Sequence, residues 1–144
     1  MAVLVGYDSG ATMTYHLTAY APWEGYRLMV NGSLGRLELE VVESDHAAPA
    51  ADGTLSGGGA GWRRLTVHPF WAPPREVPLP SYRRSGHGGA DARMTAVLFG
   101  AEPDPLARSA TARDGALALL TGLAANRSME TGEGVRVADL LEIG

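Results

Sequence analysis

The 144-residue chain contains no cysteine and no lysine. Without cysteine there is no disulfide, no thiolate nucleophile and no cysteine metal site. Without lysine every one of the 12 basic side chains is arginine, and a P-loop, which needs a lysine behind its glycines, is excluded. No apolar run approaches the about 18 residues of a membrane span. The opening MAVLVGYDSG is too short, and has no basic flank, to read as a signal peptide. Like charges form no long block: 12 basic residues stand against 16 acidic ones for a net charge of −4, so the concentrated basic footprint of a nucleic-acid binder is missing. These absences lead to the expectation of a cytoplasmic protein with neither a membrane nor a nucleic acid as partner. What is present is a 45% hydrophobic composition, enough for one domain with a core, and 19 glycines and 9 prolines, which imply many turns.

The pattern along the chain changes once. Through residue 44 it reads as strands: Ala2–Tyr7, Ala11–Tyr20, Tyr26–Asn31 and Gly35–Glu43. The last of these sets Leu37, Leu39 and Val41 against Arg36, Glu38 and Glu40, as alternate residues of a strand must. Short turns between them predict a four-strand antiparallel meander. Residues 45–61 are small, polar and glycine-rich and read as a loop. Arg64–His68 and a short Arg75–Leu79, hemmed by prolines, read as further strands. Beyond them the period becomes helical: Ala90–Phe99, then Leu106–Arg127, with Asn126 and Ser128 as terminal capping groups and Gly115 and Gly122 permitting close packing. A short strand, Val135–Val137, and a turn of helix, Ala138–Leu141, end the chain. Strands followed by helices predict an α+β domain, an open and mainly antiparallel sheet with helices packed on one face. The other face of such a sheet is left open, which predicts self-association.

Two short stretches carry candidate chemistry. In RSGHGGADARM, His87 sits among Gly86, Gly88 and Gly89 ahead of a helix. Glycines let a backbone approach a ligand closely, and a helix N-terminus offers free N–H groups; the same pattern also serves as a plain helix-capping loop. Asp91 lies four residues beyond His87 and can meet it if the helix starts early, or can simply favour the helix dipole. Two ligands without a third make no metal site. In APWEG, Trp23 and Glu24 fall between two strands. They read either as a rim that stacks on a sugar face and binds its hydroxyls or as an aromatic covering a sheet corner. No residue is assigned a catalytic role.

Three segments, in order, resemble one family. YDSGATMTYHLTAYAPWEGYRLMVNGSLGRLELE, SGHGGADARM and RDGALALLTGLAANRSMETGEGVRVADLL are similar to the C-terminal domain of the glucose-fructose oxidoreductase and inositol dehydrogenase (Gfo/Idh/MocA) family. The resemblance implies an NAD- or NADP-dependent enzyme of two domains, with an N-terminal Rossmann half that binds the cofactor. It implies that the present segment builds the substrate pocket and the oligomer contacts, and that the segment with His87 looks towards the substrate cleft; His87, Asp91, Trp23 and Glu24 are the expected substrate-binding residues. The departures are specific. No G-x-G-x-x-G follows a strand, the family's E-K-P lysine is absent, and so is the helix that would carry its D-x-x-x-H pair. The expectation is therefore a single C-terminal substrate-binding and oligomerisation domain over residues 1–144. It has no cofactor of its own and no activity alone, and its ligand is a small sugar or polyol. The alternative is a non-catalytic dimeric scaffold or carbohydrate-binding module from a truncated gene.

Overall fold

A computed structural model describes residues 1–44, 48–49, 51–52, 55–56, 60–81, 89–100, 103–104 and 106–140. Among the described residues eight strands precede two helices: β1 (Ala2–Gly6), β2 (Thr12–His16), β3 (Glu24–Gly32), β4 (Gly35–Ser44), β5 (Ala48–Pro49), β6 (Leu55–Ser56), β7 (Ala60–Pro69) and β8 (Arg75–Val77), then α1 (Ala90–Leu98) and α2 (Ala112–Thr131). The class is α+β with antiparallel sheets, as the change of period predicts. The chain divides into two compact units, Met1–Ala2 with Tyr15–Ser81, and Val3–Thr14 with Tyr82–Gly144.

The first four strands do not form one meander. Among the described residues β1 and β2 pair only with each other, while β3 and β4 continue into β7 and β8 in the order β3-β4-β7-β8. Alternation marks a residue as belonging to a strand but does not choose its neighbour. The β1–β2 hairpin is closed at one end by Tyr7 N–H on the Ala11 carbonyl at 2.9 Å. At the other end Met1 and Leu17 exchange two bonds, of 2.9 and 3.0 Å. The longer ladder runs from Gly35↔Pro69 to Ser44↔Ala60, so β7 starts inside the segment that composition marks as loop. That segment also contains the two-residue β5–β6 ladder.

Register fixes two faces on the four-stranded sheet. Tyr26, Leu28 and Val30 stand opposite Val41, Leu39 and Leu37, and these in turn opposite Arg63, Leu65 and Val67. This is the apolar face, and Val41, at 3% exposure, is its best-buried residue. The alternate rows, Arg27–Glu40–Arg64, Met29–Glu38–Thr66 and Asn31–Arg36–His68, form the polar face.

In the helical unit, α2 begins six residues later than the spacing of apolar residues predicts. Leu106 to Ala110 are excluded by local chemistry. Ala107 takes a left-handed φ of 48°, and Asp104 Oδ2 accepts from both Ser109 N–H and Ser109 Oγ at 2.7 Å. The helix starts where Thr111 caps it. Thr111 Oγ1 accepts from Asp114 N–H at 3.2 Å while Asp114 Oδ2 accepts from Thr111 N–H at 2.8 Å, a reciprocal capping box. It runs on to Thr131 and stops at Gly132, whose φ of 74° lies in the left-handed region that favours glycine. Asn126 and Ser128 therefore lie within the helix and are not terminal side-chain caps. Leu120 and Ala124 are its buried residues. Gly115 and Gly122 approach nothing: a Cβ at either would meet no atom within 4 Å among the described residues. Val135–Val137 is not a strand. The chain there makes a 3-10 turn, Val137–Asp139, with Asp139 N–H on Arg136 and Leu140 N–H on Val137, both at 3.1 Å. Three residues without a partner strand have no ladder to join.

Candidate functional site

The polar face of the four-stranded sheet holds the best-connected cluster of side chains. β4 sits between β3 and β7, so a carboxylate on its polar face has a neighbour on each side. Glu40 uses both. Its Oε1 accepts from Arg27 Nε at 2.8 Å, with Arg27 Nη2 an ion-pair contact at the same distance, and its Oε2 accepts from Arg64 Nη2 at 2.9 Å. Direct hydrogen bonding from Arg27 holds the Glu40 carboxyl below its ordinary range. The bond from Arg64 and the charge of both guanidiniums act in the same direction, and partial burial opposes them. Each arginine also covers an aromatic ring: Arg27 lies 5.7 Å from the centre of Trp23 and Arg64 lies 5.6 Å from that of Trp62, both within cation–π range. The result is a charged row across three strands, with Trp62 and Trp23 on one side of it, beside the neighbouring Gly25–Val42–Trp62 row.

Two positions further along, a second set repeats the theme. Arg36 donates through Nε to Asn31 Oδ1 at 2.8 Å and through Nη1 to Glu38 Oε1 at 3.2 Å. His68 Nε2 lies 3.2 Å from Glu38 Oε2. That contact lacks hydrogen-bond geometry, and the nitrogen has no hydrogen-bond partner among the described residues. Between the two sets lies an open depression of about 370 Å³, walled by Arg27, Met29, Glu38, Glu40, Arg64 and Thr66, with His68 at one end.

Trp23 and Glu24 stand together at the head of β3. The Trp23 ring packs close over Gly25, and a Cβ at Gly25 would strike both that ring and the Val41 carbonyl. Glycine is therefore required for β3 to close on β4 beneath the ring. Glu24 is exposed and pairs with Ser44 across a register shift. Asp91 lies in the other compact unit, in the first turn of α1, where its carbonyl accepts from Thr95 Oγ1 at 2.9 Å. His87 lies outside the described residues, and Gly89 precedes α1 in a left-handed conformation. Among the described residues no group of three or more His, Asp or Glu side chains could hold a metal ion, and no helix is long and apolar enough to cross a membrane.

The sequence reading missed most of the polar face. Arg36, Glu38 and Glu40 were legible as one face of β4, and Trp62, Arg64, Thr66 and His68 alternate in the same way along β7. What joins them is register, which alternation does not supply.

Fold and site together define an α+β chain whose antiparallel sheet exposes a polar face with tryptophans on one side of its charged row. A protein of Bacillus subtilis (strain 168) named "Putative oxidoreductase YteT" is similar to this chain, 28% identical over 142 residues, covering 96% of this chain and 31% of that protein. The similarity relates this chain to an oxidoreductase, of which it spans less than a third of the length. No protein-family profile and no solved structure matches.

Proposed function

We propose that this chain is the substrate-binding and self-associating part of a nicotinamide-dependent sugar or polyol oxidoreductase, inactive alone. The observation that carries the reading is the end-to-end similarity to a protein named as an oxidoreductase, over 96% of this chain but 31% of that one. Among the described residues the glycines at strand ends and turns, Gly6 with Gly10 and Gly32 with Gly35, lead into another strand, whereas a pyrophosphate site leads into a helix N-terminus. The hydride chemistry of such an enzyme belongs to its cofactor. The part of this chain is to hold the substrate, through His87 with Asp91 on one segment and Trp23 with Glu24 on another.

Two measurements test the reading. The purified chain, titrated with NADH and with NADPH, should give neither heat nor a change in cofactor fluorescence; stoichiometric binding at micromolar affinity refutes it. In a full-length oxidoreductase containing this domain, His87→Ala should lower kcat/KM for the sugar or polyol by about 5- to 150-fold, the loss of one transition-state hydrogen bond, and leave cofactor affinity intact. Unaltered turnover refutes the assignment of His87.

A further inference from the structure

We propose that the open edge of β3 pairs with β3 of a second copy of this chain, antiparallel about a two-fold axis at Leu28, so that two four-stranded sheets become one continuous sheet. The proposal rests on the self-associating half of the reading above and gives that contact a place; it does not rest on the oxidoreductase half. The contact runs edge to edge through backbone groups, which distinguishes it from a stacking of apolar faces.

The first observation is that the two edges of the sheet, β3 and β8, are built differently. β8 is only three residues long, Arg75–Val77, with Pro73 and Pro74 before it and Pro78 and Pro80 after it. Short length and prolines are devices that keep an edge from pairing with another chain. β3 has neither. It runs over nine residues, all exposed, without a proline. Its register on β4 slips only between Glu24 and Gly25, so the edge is regular from Gly25 onwards. The one charged side chain between Gly25 and Gly32 is Arg27. It is drawn across the sheet onto Glu40 at 2.8 Å and does not guard the edge. A row of backbone N–H and C=O groups is left along β3 with no partner strand among the described residues.

The second observation selects the partner. Gly32 and Gly35 close a two-residue turn, and the residues flanking such a turn bond to each other. Bonding to β4 therefore falls to Gly32, Val30, Leu28 and Tyr26, and the backbone groups of Asn31, Met29, Arg27 and Gly25 point away from it. Set antiparallel to a copy of itself, β3 has one register that uses all four. Gly25 stands against Asn31 and Arg27 against Met29, with Leu28 on the axis. Each such pair exchanges two bonds, about eight in all between the copies. In that register Tyr26 meets Val30 and Leu28 meets Leu28, so the apolar rows continue across the axis. Arg27, already neutralised by its own Glu40, meets Met29 and not another charge. The strand is complementary to itself, as a two-fold contact requires. Its residues are only about a third of the number that a stable interface uses on each side, so the dimer is weak and reversible and forms at high micromolar concentration.

Residue-resolved amide hydrogen exchange on the whole chain, from tens of micromolar to near millimolar, with sedimentation velocity over the same range, tests the pairing. The chain should pass from monomer to dimer. The amides of Arg27, Met29 and Asn31 should gain protection as it does, while those of Tyr26, Leu28 and Val30, bonded to β4 in either state, should change little. Met29→Lys places a lysine opposite Glu38 within its own sheet, which preserves the fold, and opposite Arg27 of the other copy. It should weaken the dimer by about tenfold or more, like charge facing like at two equivalent places, with the melting curve of the monomer unchanged. Met29→Leu should associate as the parent does. The proposal is overturned if the three amides exchange equally fast at all concentrations, or if Met29→Lys associates like the parent. It is overturned equally if those amides are already protected in the monomer, which means pairing within one chain. A dimer with any of these results leaves self-association standing without this edge, whereas a chain that stays monomeric throughout overturns both. Binding of a nicotinamide cofactor is tested separately and is untouched by either result.

Discussion

Gly25→Ala is the sharpest test of how the sheet places Trp23. The added Cβ would point at the Val41 carbonyl and lie 2.9 Å from the Trp23 ring. The obstruction on the β4 side is backbone, which cannot swing away as a side-chain tip can. Either the start of β3 lifts off β4 or the Trp23 ring leaves its place over position 25. Lifting the strand end forfeits one or two ladder hydrogen bonds at about 0.5–1.5 kcal/mol each; forcing the extra carbon in costs about 1–3 kcal/mol. The expected loss is about 2–3 kcal/mol. With a urea slope near 2 kcal/mol per molar, that moves the unfolding midpoint down by about 1–1.5 M. Urea unfolding followed by far-UV circular dichroism measures the loss, and in a Trp62→Phe, Trp71→Phe background tryptophan emission reports Trp23, which should become more solvent-exposed in the folded variant. A variant with the parental midpoint and parental emission would refute the claim that β3 closes on β4 only because position 25 lacks a Cβ.

Three further outcomes are expected. The Glu40 carboxyl is held below its ordinary value of 4.5 when folded, so its ion pairs stabilise the sheet above that value and their contribution is lost as pH falls through the folded pKa. Glu40→Gln should be less stable than the parent at neutral pH, with the gap closing in acid and narrowing in salt; a gap independent of pH in urea unfolding contradicts the network. Thr111→Ala removes one half of the capping box on α2 and should cost about 1 kcal/mol in thermal unfolding, whereas Thr111→Ser should cost much less; equal stability of all three would mean that the helix start is set elsewhere. Tyr26, Leu28 and Val30 on the apolar face are 54%, 49% and 50% exposed, and the chain should scatter light as a dimer or larger, a clean monomer at high micromolar concentration ruling this out.

Some of this protein was decided within short stretches of chain. The alternation of Leu37, Leu39 and Val41 with Arg36, Glu38 and Glu40 makes β4 a strand with one apolar and one polar side whatever its neighbours are. Thr111-Ala112-Arg113-Asp114 carries its own capping box, and Gly132 its own stop, because both act on backbone groups within a few residues. The α+β class follows from such local periods. The partners of the strands do not. β1 and β2 have the same alternation as β3 and β4 and yet pair apart from them, and β7 extends into glycine-rich sequence because the length of β4 offers it a ladder. Glu40 has no local signal that singles it out from Glu38 or Glu43. It becomes the centre of the polar face only because antiparallel register brings Arg27, 13 residues before it, and Arg64, 24 residues after it, to either side. Tertiary structure alone makes that choice, since hydrogen-bond and ion-pair energies depend on distances in space that separation along the chain does not specify.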